Sequence, residues 1–136
     1  MGNHVWRVLL AEDDRFLRKA TEAALRRGGF TVLAASDGEE ALRMARAEAP
    51  DIVLLDMIMP KVQGFEVLRE IKKNPGTASI PVIILSNLGQ ESDSKSALEM
   101  GAADYWVKAN MALGDLVKRV ASVLGTGVAV NEGSAG

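Results

Sequence analysis

Short apolar runs alternate along the chain with longer segments whose apolar residues recur at the helical period. The apolar runs predict strands at residues 5–11, 30–36, 51–56, 80–86 and 104–108. The segments between them predict helices at residues 15–29, 37–50, 64–76, 90–102 and 111–125. We expect the first helix to bury a face formed by Phe16, Leu17, Ala20, Ala24 and Leu25.

This strand–helix alternation predicts an α/β fold of the (βα)5 type. A parallel sheet needs helical crossovers, and these cover both of its faces in a doubly wound arrangement. The unbroken apolar runs in strands three and four fit burial on both sides. We expect one domain over residues 5–124, with strand order 2-1-3-4-5, and a disordered tail over residues 125–136, where Gly and small residues dominate.

Composition narrows the range of possible functions. The chain of 136 residues is 48% apolar and has a net charge of -2, so charge does not suggest a nucleic-acid partner. It contains no cysteine and one histidine, His4, which excludes disulfides and thiolate catalysis and argues against a Ser-His-Asp triad. There is no apolar run of the roughly 18 residues needed for a bilayer span and no signal-peptide pattern, so we predict a cytoplasmic protein without membrane insertion.

Polar residues stand at the carboxyl ends of four of the predicted strands. They are the acidic run 12–14, Asp56, Ser86 and Lys108. Taken singly, each has an ordinary explanation as a helix cap, a turn residue or a solvated charge. The carboxyl ends of parallel strands meet at one edge of the sheet, however, and ligands bind there. The four positions therefore predict a shared cleft.

The residue types in this cleft favour phosphoryl chemistry. Clustered carboxylates repel one another and favour a bound cation, and a ligand set made only of oxygens favours Mg²⁺. A carboxylate can attack phosphorus to give an aspartyl phosphate, while a lysine and a hydroxyl hold the phosphoryl oxygens. We therefore predict that Asp56 is a phosphoryl acceptor.

The chain resembles the receiver domain of two-component response regulators. The likeness covers Val5 to Leu124 and depends on the motifs LLAEDD, LLDMIMPKVQGFEVL, IILSN and GAADYWVKA in that order. It implies a flavodoxin-like fold and a Mg²⁺ site. The implied site residues are Glu12 and Asp13 as the Mg²⁺-binding acid pair, Asp56 as acceptor and ligand, Ile58 as a carbonyl ligand, Ser86 and Lys108 as phosphoryl contacts, Tyr105 as a switch residue, and Pro60 and Gly64 in the loop after the acceptor.

The resemblance also implies a mechanism and its partners. A histidine kinase or histidine phosphotransfer protein supplies a phosphohistidine, and Asp56 takes the phosphoryl group with Mg²⁺. Ser86 and Tyr105 then rearrange and change the face formed by helix four, strand five and helix five. That face would contact a downstream protein, whose identity the sequence does not reveal, and it could form a homodimer.

The sequence departs from the family pattern at several positions. Ala109 replaces the usual proline after Lys108, and we expect the 108–109 peptide to be cis despite a cost of roughly 2.5–4 kcal/mol. Asn87 stands where a small residue is commoner, and it points either to the phosphoryl group or to solvent. Ile58 and Leu88 are both apolar, which suggests slow hydrolysis of the phosphorylated acceptor. Trp106 faces either the core or an interface.

Two other classes of function stay open. A phosphatase of the haloacid dehalogenase type also uses a strand-end Asp with Mg²⁺, but it needs a second Asp where this chain has Ile58. A receiver-like interaction module that works without phosphorylation is the other alternative. Under that hypothesis Asp56→Asn leaves partner binding unchanged, whereas a phosphorylation switch would lose its switching.

Overall fold

The computed structural model describes residues 4–59, 61–87 and 91–126. Strands and helices alternate along these residues as the sequence predicts. Their bounds are β1 Arg7–Ala11, α1 Arg15–Arg27, β2 Thr31–Ala35, α2 Gly38–Glu48, β3 Ile52–Asp56, α3 Gly64–Lys73, β4 Val82–Ser86, α4 Glu91–Glu99, β5 Asp104–Val107 and α5 Leu113–Leu124, with a 3₁₀ turn at Lys108–Asn110.

The strands form one parallel sheet in the order β2-β1-β3-β4-β5, which confirms the predicted α/β fold and strand order. Asp56 pairs in register with Leu85, and Ser86 pairs with Val107. Ala11 pairs with Leu55, one residue before Asp56. The residues that follow β1, β3, β4 and β5 therefore emerge at one edge of the sheet, as expected for parallel strands.

Two hydrophobic cores cover the two faces of the sheet. All five residues of β3 and all five of β4 are buried, which explains why these strands lack an alternating polar pattern. Leu54, Ile83 and Trp106 pack in the core that includes α5, while Leu55 and Ile84 pack in the core that includes α3. Trp106 is 3% exposed, so it belongs to the core.

The predicted buried face of α1 is partly wrong. Phe16 is 85% exposed and Ala20 is exposed, whereas Thr21, Ala24 and Leu25 are buried. The buried stripe runs through positions i, i+4, i+7 and i+8 starting from Leu17, and Phe16 lies about 100° away from it in the first turn. The apolar character of Phe16 therefore does not serve the core.

Several expectations lie outside the described residues. These are the roles of Pro60 and Leu88 and most of the proposed tail, residues 127–136. Gly125 and Thr126 are described and close α5, with the Gly125 amide donating to the carbonyl of Ser122 and the Thr126 amide donating to that of Ala121. Among the described residues, every helix is too short or too polar to cross a bilayer.

Candidate functional site

The loop after β1 turns the first two acids of the site toward the cleft. The Glu12 amide donates to the carbonyl of Ala35 at 3.1 Å, which continues the sheet pairing by one residue. Asp14 caps α1, since its Oδ1 accepts from the Leu17 amide at 3.1 Å. Glu12 is 2% exposed, and its Oε2 accepts from the Asp14 amide at 3.1 Å. The capping explanation therefore fits Asp14, although Asp14 lines the cleft together with Glu12 and Asp13.

Asp56 ends β3 and is only 6% exposed. The following loop turns sharply, and the Gly64 amide donates to the Met57 carbonyl at 3.0 Å where α3 begins. A Cβ on Gly64 would lie 2.5 Å from the Asp56 carbonyl oxygen. Glycine is therefore required there, because α3 starts against the backbone of the acceptor strand.

Lys108 crosses the site from the end of β5. Its Nζ donates to Glu12 Oε1 at 2.8 Å and lies 3.5 Å from Asp56 Oδ1. The Lys108 side chain is 14% exposed, so both contacts are largely shielded from water. This places the predicted lysine between two of the predicted acids.

The expected cis peptide after Lys108 is wrong, because the bond to Ala109 is trans. Strand β5 ends at Val107, one residue earlier than predicted, and Lys108 opens the 3₁₀ turn. This turn delivers the lysine to the site without the cost of a cis bond that does not precede proline.

Glu12, Asp13 and Asp56 form a carboxylate cluster in which one oxygen of each lies within 4.8 Å of the others. Burial and the neighbouring Glu12 carboxylate raise the pKa of Asp56 to about 7, and Lys108 offsets only part of this effect. Three acids thus face one lysine. A small divalent cation bound by hard oxygen ligands would relieve the imbalance, so the residues present fit Mg²⁺.

A cleft of about 640 Å³ opens above the cluster and gathers most of the predicted site. Its lining includes Glu12, Asp13, Asp56, Ile58, Ser86 and Lys108. Ser86 is 5% exposed, whereas Ile58 is 70% exposed at the rim. Asn87 is exposed and also lines the cleft. Tyr105 packs against the core on the α3 side and is not among the lining residues.

Sequence reasoning missed two residues near the site. Asp93, in α4, lines the cleft. Arg18, in α1, donates from Nη1 to the carbonyl oxygens of Glu12 at 2.9 Å and Asp13 at 3.4 Å. The predicted helix places Arg18 one turn after the acidic run, and this spacing was the available signal.

Comparisons with known proteins agree with the geometry. The family model described as "Response regulator receiver domain" matches residues 8–121. The transcriptional regulatory protein AfsQ1 of Streptomyces coelicolor is 41% identical over 101 residues, which cover 74% of this chain and 44% of AfsQ1. The chain spans less than half the length of curated relatives such as AfsQ1.

Solved structures show the same fold. The receiver domain of the Francisella response regulator 1452 has a TM-score of 0.79 and 30% identity, covering 87% of this chain and 94% of that one. A chain of the CheX–CheY complex with beryllofluoride and Mg²⁺ from Borrelia burgdorferi has a TM-score of 0.79 and 33% identity, covering 87% of this chain and 88% of that one.

Proposed function

Because the chain belongs to the response regulator receiver family, we propose that Asp56 accepts a phosphoryl group from the phosphohistidine of a sensor histidine kinase or a histidine phosphotransfer protein. The observation that carries this proposal is the buried carboxylate cluster with Lys108 Nζ 3.5 Å from Asp56 Oδ1. The beryllofluoride and Mg²⁺ held in the Borrelia burgdorferi complex support it.

In the transfer step, a carboxylate oxygen of Asp56 forms a bond to phosphorus while the bond from phosphorus to the histidine nitrogen breaks. The nitrogen keeps the electron pair, and Asp56 becomes an acyl phosphate. Lys108 stabilises charge on the phosphoryl oxygens, because its ammonium already lies beside the attacking carboxylate. When bound by Glu12, Asp13, Asp56 and the Ile58 carbonyl, Mg²⁺ supplies further charge neutralisation.

The buried position of Asp56 explains why a cation matters for its own reactivity. The raised pKa leaves a substantial protonated fraction at neutral pH, and a protonated carboxyl is a poor nucleophile. Positive charge beside Asp56 favours the ionised form. The same arrangement thus prepares the nucleophile and receives the phosphoryl group.

Phosphorylation then acts as a conformational switch. Ser86 ends β4 inside the cleft, and Tyr105 lies on the neighbouring strand, paired in register with Ile84. In our proposal Ser86 moves to donate a hydrogen bond to a phosphoryl oxygen, and Tyr105 moves into the space that Ser86 leaves. The face formed by α4, β5 and α5 then shifts from one conformational state toward another. The output is contact with a downstream protein or a second copy of the chain, in the cytoplasm.

The apolar rim should slow the loss of the phosphoryl group. Ile58 is exposed beside the acceptor and offers no polar atom on its side chain to orient an attacking water. We expect Ile58→Asn, combined with Leu88→Gln, to shorten the lifetime of the phosphorylated protein. An unchanged lifetime would reject this explanation.

The direct test is intact-mass measurement after incubation with acetyl phosphate and Mg²⁺. Wild type should gain one phosphoryl group, and Asp56→Asn should not. Asp51→Asn is the matched control, because Asp51 immediately precedes the same strand at its opposite end. Absence of the adduct in wild type, together with partner binding that survives Asp56→Asn, would favour the phosphorylation-independent module.

A further inference from the structure

The Arg18 side chain contacts the loop that presents the acid pair through backbone carbonyl oxygens. Its Nη1 donates to the carbonyl oxygens of Glu12 at 2.9 Å and Asp13 at 3.4 Å. Its own backbone amide donates to the carbonyl of Asp14 at 2.8 Å. Arg18 therefore contacts all three residues of the acidic loop, which is formed by residues 12–14.

The remaining contacts of Glu12 show why this contact matters. Lys108 Nζ donates to Oε1 of the Glu12 carboxylate and the Asp14 amide donates to Oε2, so both carboxylate oxygens accept a hydrogen bond. Arg18 donates to the backbone carbonyl oxygen of the same residue. The carboxylate and the carbonyl are thus held in different directions, which fixes the orientation of the peptide between Glu12 and Asp13.

The orientation of Asp13 should depend on Arg18 more than that of Glu12 does, because the Glu12 side chain is also held by Lys108 and the Asp14 amide. Asp13 is exposed, and its contact with Arg18 is through the backbone carbonyl. With its carbonyl directed to the guanidinium, the side chain is left to line the cleft with Glu12 and Asp56. Partners that orient metal ligands in this way commonly change metal affinity by roughly 10- to 100-fold when they are removed.

We propose that Arg18 is a positioning residue that preorganises Glu12 and Asp13 for a divalent cation. The proposal rests on the function proposed above and adds a residue of α1 to the machinery. The direction in which Mg²⁺ affinity changes when Arg18 is replaced separates positioning from electrostatics. A positive charge near the site should by itself weaken cation binding, so an electrostatic role and a positioning role predict opposite results.

The test is a Mg²⁺ titration by calorimetry on wild type, Arg18→Met and Arg15→Met at fixed ionic strength. Arg15 is the matched control, because it is an exposed arginine of the same first helical turn for which the described residues show no hydrogen bond or ion pair. Removing it deletes the same charge without touching the loop. We expect Arg18→Met to weaken Mg²⁺ binding roughly 10-fold, and Arg15→Met to leave it unchanged or slightly tighter.

A second measurement separates positioning from a general loss of structure. At saturating Mg²⁺, phosphorylation of Arg18→Met by acetyl phosphate should return to within a few-fold of the wild-type rate, because the cation then orders the loop. In metal-free protein, the amides of the acidic loop should exchange hydrogen faster in Arg18→Met than in Arg15→Met. If Arg18→Met does not fold, Arg18→Lys replaces it in these measurements because it retains the charge. The Mg²⁺ affinity of Arg18→Lys should lie between that of wild type and that expected for Arg18→Met.

The outcomes distinguish this proposal from the one it rests on. If wild type binds Mg²⁺ and Arg18→Met binds it as tightly as Arg15→Met, the positioning role is overturned and the phosphoacceptor function stands. If wild type binds no Mg²⁺ under these conditions, both proposals fail. Tighter binding by Arg18→Met would assign Arg18 a purely electrostatic effect.

Discussion

The two edges of the sheet carry similar charged residues but differ in how far these are buried and in how their charges are balanced. At the carboxyl edge, Glu12, Asp56 and Lys108 are each less than 15% exposed, and three acids face one lysine. At the amino edge, Arg7 pairs with Glu48 at 2.9 Å, and their side chains are 35% and 47% exposed.

The difference lies in burial and charge balance rather than in residue type. In the Arg7–Glu48 pair at the amino edge, each charge has a partner and contact with water, so its ionic state costs little. At the carboxyl edge, burial and Glu12 hold the pKa of Asp56 at about 7. Groups that are held away from their ordinary ionic state are candidates for chemistry. The carboxyl edge is therefore where function is expected, and the amino edge contributes modestly to stability.

The largest expected effect is on the pH dependence of stability in the absence of Mg²⁺. The pKa of Asp56 is raised from 3.8 to about 7 in the folded protein, so between these values the native state keeps a proton that the unfolded chain has released. Folding stability therefore falls as pH rises through this window. We expect wild type to lose on the order of 4 kcal/mol relative to Asp56→Asn between pH 4 and pH 8.

Urea unfolding of both proteins across this pH range measures the difference. Asp56→Asn removes the titrating group and keeps the size of the side chain, so the effects of titratable groups distant from Asp56 cancel in the comparison. Adding Mg²⁺ at pH 8 should stabilise wild type more than the variant. If the free energies of unfolding of the two proteins change in parallel with pH, burial at the carboxyl edge does not raise the pKa of Asp56.

The next effect in size concerns Lys108. Replacing a preorganised cationic donor beside developing charge typically costs about 100-fold or more in rate. We therefore expect Lys108→Met to slow phosphorylation by acetyl phosphate by about this factor, measured by intact mass against time. Mg²⁺ binding should become tighter in the same variant, because the carboxylate cluster loses its compensating charge.

Arg7→Met is the control for this experiment, since it removes a cation from the opposite edge. Its phosphorylation rate should match that of wild type. A Lys108→Met rate within a few-fold of wild type would mean that the lysine is a structural partner of Glu12 and contributes little to transfer.

Much of this architecture could be predicted from the sequence because it follows from local patterns. Alternation of apolar runs and helical periods gave the strands, the helices and their order, since these depend on residue spacing. Strand ends placed Asp56 and Lys108 in one cleft, since parallel strands share an edge. The residues matched to the family motif could be named from the order of the motifs along the chain, and their roles stay predictions.

What the sequence could not supply depends on three-dimensional competition. The cis peptide was expected because Lys108 had to reach the site, and a 3₁₀ turn achieves this with a trans bond. Phe16 was assigned to the core because it is apolar, yet the helix turns it to solvent. Arg18 was missed because its spacing of one helical turn from the acidic run does not reveal that its side chain bonds backbone carbonyl oxygens.

A smaller effect separates two glycines at different distances from the acceptor. Gly64 packs against the backbone of Asp56 and Met57, so a Cβ there forces the loop to move. We expect Gly64→Ala to destabilise the protein by about 1–3 kcal/mol. Gly114 in α5 has open space around it, so Gly114→Ala should stabilise by about 0.4–1 kcal/mol. Urea unfolding measures both, and equal effects would contradict tight packing under the acceptor.

The smallest expected effect lies at the amino edge and tests the other half of the comparison. Arg7→Met removes the ion pair with Glu48 but keeps an unbranched side chain and the backbone bond from the Arg7 amide to Asp51 Oδ2 at 2.8 Å. We expect a loss of less than about 1 kcal/mol that shrinks at high salt, because exposed pairs are weak and screened. Glu48→Gln should give the same result in urea unfolding, and the double variant should add nothing. A larger, salt-independent loss would show that this edge also depends on charges shielded from water, and the contrast between the two edges would then be one of degree.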